Sequence, residues 1–315
     1  MRTSMSVHRI KPRALVPGNT VGITAPASPG DWEQMKSAAA YLEQLGLRVQ
    51  VGNTVLKQHG YLSGTDAERA EELNAMFADP GIHAILCARG GYGTPRIADR
   101  LDYEMIRANP KVFWGYSDIT FLHAAIGKLS GLVTFHGPMM IDLCKMDVNP
   151  LTVQNLQLLV QPGVLCYTEE IAPLDVLVEG VASGPLIGGN LSLIVSTLGT
   201  PYEIDTTGAL LFIEDIDEEP YRIDRMLNQL RLAGKFADAA GMVIGDFNNC
   251  APRKRKVSLS LDEVIQDHIV AAGKPVMAGF RIGHCSPNIA LPLGIEATMN
   301  TYEKRLECHE PGTYA

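Results

Sequence analysis

The segment Gly115-Tyr116-Ser117-Asp118 stands between an apolar run, KVFWGY, and a helical run that begins at once. A serine on such a strand–turn–helix junction exposes its hydroxyl at the carboxyl end of a sheet. The free N–H groups and positive dipole end of the following helix lie beside it. That setting suits attack on a carbonyl and stabilisation of the oxyanion that forms. The second glycine of a G-x-S-x-G elbow is missing, since Asp118 fills the variable position and Ile119 replaces the glycine. The competing reading makes Ser117 or Asp118 an ordinary N-cap of the helix.

A serine nucleophile needs a base and a group that orients it. His284, in Gly283-His284-Cys285-Ser286-Pro287, sits on a Gly-flanked, Pro-stopped loop where a core histidine is out of place. His123 (FLHAAI) and His136 (VTFHGP) have apolar neighbours and are expected to pack inside. His8, His59 and His309 fall in terminal or loop segments, and His268 on a polar helix face. Glu214 and Asp215 end the apolar strand ALLFI, and either could be the orienting carboxylate. The five acids within Glu214–Glu219 also suit a metal site, but on their own they read as a solvated acidic loop. Cys285 beside His284 invites a thiol nucleophile. Adjacent residues of an extended segment point to opposite faces, however, and would rarely meet.

The turn Arg89-Gly90-Gly91-Tyr92-Gly93 follows another apolar strand, HAILCA, at the edge where open α/β sheets bind ligands. Its glycines would let a backbone N–H approach a substrate closely. A dinucleotide site would need G-x-G-x-x-G after the first strand with an acid about twenty residues on; neither is present.

The elements that must carry these residues alternate strand and helix. TVGITAPAS, LRVQVGN, HAILCA, KVFWGY and LVTFHG read as strands, with helices over 32–45, 65–78, 94–101 and 118–130 between them. Thr65/Glu68 and Ser260/Glu263 are capping boxes. Such alternation predicts a parallel sheet covered on both faces. After NPLTVQNLQLLVQPG, read as one helix, a polar Pro-containing stretch looks like a linker. A second strand–helix set and short Gly- and Pro-punctuated extended pieces follow. The expected fold is α/β, with a Rossmann-like parallel-sheet domain over 1–150 and a linker region over 151–180. A C-terminal α/β domain of short extended, barrel-like strands covers 181–315.

The chain has 315 residues, 46% of them apolar, enough to bury a full core without staples. A formal charge of −8 argues against a nucleic-acid partner, which would require a basic face. No run of about 18 apolar residues predicts a membrane span. The N-terminus lacks an apolar signal core, so a cytoplasmic location is expected. The six cysteines (Cys87, Cys144, Cys166, Cys250, Cys285 and Cys308) are scattered, never form C-x-x-C, and read as reduced thiols rather than disulfides or zinc ligands.

Taken in order, these segments resemble the LD-carboxypeptidase family, serine peptidases that trim murein peptides. The resemblance spans essentially the whole chain. It is carried by Ala25-Pro26-Ala27-Ser28, Arg89-Gly90-Gly91-Tyr92-Gly93, Trp114-Gly115-Tyr116-Ser117-Asp118-Ile119-Thr120, Gly184-Pro185-Leu186-Ile187-Gly188-Gly189-Asn190-Leu191, Phe212-Ile213-Glu214-Asp215-Ile216, Pro220-Tyr221-Arg222-Ile223-Asp224-Arg225-Met226-Leu227 and Gly283-His284. It implies Ser117 as nucleophile, His284 as general base, Glu214 as its orienting partner, and an oxyanion hole from the N–H groups of Gly91 and Asp118. The implied reaction is hydrolysis of the L,D-amide bond that releases terminal D-alanine from a murein tetrapeptide, through an acyl-enzyme and without metal or cofactor. Arg89 or a nearby backbone nest is expected to hold the terminal carboxylate, Tyr92 is a further expected substrate contact, and a homodimer is implied.

Two other readings compete. A microcin-immunity peptidase of the same family cleaves a toxic aminoacyl-nucleotide and stacks its base on an inter-domain aromatic. Residues 145–180 hold one aromatic, Tyr167. A non-catalytic small-molecule binding protein would leave the Ser/Glu/His set unexplained. A Ser117 Oγ to His284 Nε2 separation beyond about 5 Å would exclude the triad.

Overall fold

The computed structural model describes residues 9–253 and 257–315. The reading of the N-terminus as no signal, at residues 1–8, and of His8 as a terminal residue therefore lies outside the described residues.

The first five strands are β1 (Thr20–Thr24), β2 (Arg48–Val51), β3 (Ala84–Cys87), β4 (Val112–Gly115) and β5 (Thr134–His136). They pair in parallel in the order β5-β4-β3-β1-β2. β1, β3, β4 and β5 are buried at every position. That burial is why they read as continuous apolar runs rather than as alternating ones. Trp114 of β4 is fully buried and stacks on Phe135 of β5 at 5.5 Å. Helix Asp66–Ala78 begins at the expected Thr65/Glu68 capping box, and helix Thr120–Leu129 follows the Ser117 turn.

The remaining strands are β6 (Cys166–Tyr167), β7 (Asp175–Val178), β8 (Val181–Asn190), β9 (Leu210–Ile216), β10 (Gly241–Asn248), β11 (Val276–Ala278), β12 (Leu291–Leu293), β13 (Glu296–Asn300) and β14 (Arg305–Cys308). All but β12 form a second, eight-stranded sheet in the order β6-β14-β13-β8-β9-β10-β11-β7. Its β8–β11 centre is parallel and its flanks are antiparallel. β12 instead returns to the first sheet and pairs antiparallel with β5. The fold is thus α/β, with a parallel sheet at the heart of each of two domains. One apolar core joins them, since Val133 beside β5 packs in the same cluster as Phe212 of β9 and Leu291 of β12.

Local details depart from the sequence pattern for identifiable reasons. The helix expected over 94–101 is two single 3₁₀ turns, Thr94–Arg96 and Ala98–Arg100. Thr94 is held by Asp118, which accepts from the Thr94 N–H at 2.9 Å and, through its own carbonyl, from the Thr94 hydroxyl at 2.6 Å. The run from Pro150 is α-helical only to Gln154 and continues as 3₁₀ helix over Asn155–Leu159. The Asn155 amide donates to the Leu151 carbonyl at 2.6 Å, in competition with the backbone ladder. Within the stretch read as a linker, Leu156 and Leu159 belong to the first core, while Tyr167 and Leu174 belong to the second.

Candidate active site

Ser117 follows β4 directly and has φ +64°, a left-handed conformation costly for a residue with a Cβ. It opens a 3₁₀ turn, Ser117–Ile119, that runs into helix Thr120–Leu129. Neither Ser117 nor Asp118 caps the helix through its side chain. In this strained turn Ser117 is only partly buried.

His284 reaches this hydroxyl from the other domain. Its Nε2 lies 3.1 Å from Ser117 Oγ, and its Nδ1 lies 2.7 Å from Glu214 Oε2. Glu214 sits in β9 and is fully buried; its Oε1 has no hydrogen-bond partner among the described residues. Gly283, at φ +104°, brings the loop against that carboxylate, and any Cβ there would overlap Glu214. Asp215, the other carboxylate open from sequence, faces away. It accepts from the Ser192 N–H at 3.0 Å, the Ser192 hydroxyl at 2.7 Å and the Asn190 amide at 3.1 Å, at the start of helix Leu191–Thr197.

Burial is the largest single influence on His284 and pushes its pKa down. The negative charges of Glu214, Asp142 and Asp215, with the Glu214 hydrogen bond, outweigh it and hold the imidazole above its ordinary 6.5. Asp217 and Asp246 also lie within electrostatic reach of the ring. Tyr116 packs on the imidazole with ring centres 4.8 Å apart, and its hydroxyl donates to Asp142 Oδ1 at 3.1 Å.

The rival histidines go elsewhere. His136 is fully buried against Phe212 and Tyr116, and burial drives its pKa well below 6.5. His123 is bound at 2.8 Å to the Gly115 carbonyl, with burial pushing its pKa to about 4. His268 pairs with Asp224 and His309 with Thr298. All six cysteines are free thiols. The Cys285 thiol donates to the Pro287 carbonyl at 3.1 Å, and burial pushes its pKa up, which disfavours the thiolate.

The glycine-rich turn lies against Ser117. A Cβ added to Gly90 would come within 3.0 Å of Ser117 Oγ and 3.2 Å of the Asp118 nitrogen. Tyr92 is half exposed, its N–H donates to Ser28 Oγ at 3.1 Å, and its ring meets Tyr61 edge-on at 5.6 Å. Arg89 is partly buried and donates to the Pro29 carbonyl at 3.1 Å. Gly90→Ala is expected to lower kcat about tenfold or more by crowding the space beside Ser117. Steady-state kinetics, with thermal unfolding as the control, check it.

Acids of the acidic loop are paired with residues outside it. Asp217 binds Arg253 at 2.9 Å and Asn249 at 2.6 Å, and Glu218 binds Arg222 at 3.3 Å. Among the described residues no three His, Cys, Asp or Glu side chains are grouped as a metal site would require. A cavity of about 570 Å³ between the domains is lined by Thr120, His123, Ile187 and Leu293, and by none of Ser117, Glu214 or His284. Tyr167, the aromatic considered for base stacking, is fully buried, packs on Phe280 at 4.9 Å and accepts the Arg281 N–H at 2.7 Å.

Sequence reasoning missed Tyr116, Asp142 and Asn248, whose amide donates to the His284 carbonyl. Tyr116 could have been found from its place inside the serine motif; Asp142 and Asn248 carry no local signal.

A serine hydroxyl, an imidazole and a buried carboxylate in hydrogen-bonded series, with the serine at the carboxyl end of a parallel strand, define the class of serine hydrolases. Residues 21–137 match the LD-carboxypeptidase N-terminal domain and residues 183–299 the LD-carboxypeptidase C-terminal domain. The chain belongs to the LD-carboxypeptidase family. It is 58% identical over 295 residues to a probable murein peptide carboxypeptidase of Bacillus subtilis, covering 93% of this chain and 92% of that one. Its fold is similar to that of the microcin C7 self-immunity protein MccF, with a TM-score of 0.87 and 27% identity over 97% of this chain and all of the other. It is also similar to a muramoyltetrapeptide carboxypeptidase from Oxalobacter formigenes, with a TM-score of 0.82 and 27% identity over 94% and 99% of the two chains. Among the described residues no helix is long and apolar enough to cross a membrane.

Proposed function

We propose that this chain is a serine LD-carboxypeptidase that removes the terminal D-alanine from murein tetrapeptides. The observation that carries the reading is the series Ser117–His284–Glu214, at 3.1 and 2.7 Å, drawn from both domains. The B. subtilis relative, named a probable murein peptide carboxypeptidase, supports the substrate class.

In this reaction Ser117 Oγ attacks the carbonyl of the L-centre while His284 Nε2 takes its proton. The carbonyl oxygen becomes an oxyanion, received by the N–H groups of Gly91 and Asp118. Collapse expels the D-alanine amine, to which His284 returns the proton, and leaves an acyl-enzyme on Ser117. A water, deprotonated by His284, then releases the shortened peptide. Glu214 holds the imidazole in the Nδ1–H tautomer and stabilises its positive form. Arg89 is assigned to the substrate carboxylate and Tyr92 to the flanking peptide.

The protein acts in the cytoplasm, a reading supported by its six free thiols, and as a homodimer, which light scattering checks. D-alanine release from a murein tetrapeptide, measured beside cleavage of an aminoacyl-sulfamoyl adenosine, tests the function. Turnover of the nucleotide alone would assign the chain to the microcin-immunity type. The burial of Tyr167 favours the tetrapeptide, because that ring has no free face for a base.

The reaction requires neutral His284. Since the imidazole is held above 6.5, kcat/KM should fall about tenfold per pH unit below a midpoint that itself lies above 6.5. A rate flat from about pH 5 to 8 would remove His284 from the role of base.

A further inference from the structure

His284 and Ser117 stand on different domains, so their separation depends on whatever joins the His284 loop to the domain that carries the serine. A chain of hydrogen bonds, buried at Asn288 and Thr152 and partly buried at Asn155, makes that join. The N–H of Gly283, next to His284, donates to Asn288 Oδ1 at 3.1 Å. The Asn288 N–H donates to Thr152 Oγ1 at 2.9 Å, and the Asn155 amide donates to the Asn288 carbonyl at 3.2 Å. The Ala290 N–H donates to Asn155 Oδ1 at 2.8 Å. Thr152 and Asn288 are buried, so losing a partner strands a polar group without water to replace it.

Thr152 and Asn155 ride on helical turns whose Leu156 and Leu159 are embedded in the core of the serine's domain. One residue beyond Ala290, β12 joins that domain's sheet. From the other side, the loop is held by Asn248 on the His284 carbonyl and by Glu214 on the ring. The imidazole is therefore located from both domains at once.

We propose that Thr152, Asn155 and Asn288 form an inter-domain latch that sets the reach of His284 to Ser117, making them positioning residues for the reaction. The proposal rests on the peptidase reading for its kinetic effect but not for its effect on the imidazole. Removing the latch leaves the substrate contacts in place and loosens the base. It therefore acts on kcat rather than on KM. It also relaxes the approach of the ring to Glu214, while Asp142, Asp215, Asp217 and Asp246 are unchanged.

The test uses the full chain as Thr152→Val, Thr152→Ser and Asn155→Ala, with thermal unfolding to establish folding. Thr152→Val and Asn155→Ala should lower kcat for tetrapeptide about tenfold or more with KM within about twofold, because small displacements of a base are costly. The acid limb of the pH profile, and the His284 titration read by NMR, should move to lower pH. Thr152→Ser, which keeps the hydroxyl, should restore wild-type values. The latch is overturned if both loss variants keep kcat within about twofold of wild type, or if Thr152→Ser is as impaired as Thr152→Val. If the wild-type chain neither releases D-alanine nor is labelled at Ser117 by a fluorophosphonate, the peptidase reading fails instead. The His284 titration then decides the latch alone, and an unchanged titration overturns it.

Discussion

Replacing Ser117 with alanine should abolish D-alanine release while tetrapeptide binding persists. The expected loss in kcat is about 10⁴-fold or more, because removing the nucleophile of a triad removes the acyl-enzyme route altogether. Only stabilisation by the surrounding amides and substrate binding would remain. Ser117→Gly should be equally inactive but more stable than the wild type. The serine occupies φ +64°, where a Cβ is strained and glycine is not, so stability should rise by about 1 kcal/mol. Thermal unfolding of the three proteins and release of free D-alanine measure both effects. Unchanged hydrolysis in Ser117→Ala would end the serine-peptidase reading. A less stable Ser117→Gly would end the claim that the turn is strained for function.

The second large effect is expected at Glu214. Glu214→Gln keeps the shape of the side chain but removes its charge, and kcat should fall by about 10³- to 10⁴-fold. Two consequences of the lost carboxylate combine. The amide can stabilise the wrong imidazole tautomer, and the positive imidazolium loses its buried counter-charge. The pH profile separates this from general damage. Burial lowers the His284 pKa and Glu214 raises it, so without the carboxylate the acid limb of kcat/KM must move to lower pH. A variant with a reduced rate but an unmoved acid limb would mean that Glu214 supports the loop without tuning the base. The equivalent change at Asp215 has a different expected cost, since Asp215 holds the start of helix Leu191–Thr197 through Ser192 and Asn190.

Much of this site was legible from the chain because its signals are local. The strand–turn–helix junction at Ser117 reflects two adjacent requirements, a buried strand and an immediate helix start, both within ten residues. The capping boxes at Thr65/Glu68 and Ser260/Glu263 are four-residue devices, and both are formed. The buried strands β1, β3 and β4 read directly from unbroken apolar runs because the parallel sheet is covered on both faces. The helix expected over 94–101 failed for the opposite reason. Its first residue, Thr94, is held through its N–H and its hydroxyl by Asp118, a residue 24 positions away.

The sequence by itself determined which residue types were candidates and on which kind of element each stood: a serine at the carboxyl end of a strand, a histidine on a glycine-flanked loop, two carboxylates at a strand end. Only the tertiary structure chose among them. Glu214 and Asp215 are neighbours on one strand, and alternation sends them to opposite faces, one to His284 and the other to a helix start. Which face meets the imidazole depends on how β9 sits in its sheet and how that sheet packs on the other domain. The same holds for His284 over His136. His136 immediately follows Phe135 in the first sheet but is sealed among aromatic rings, while His284, 167 residues from Ser117, closes to 3.1 Å. Contacts across that separation arise from the docking of two cores and from the return of β12 to the first sheet, and no window of sequence contains them.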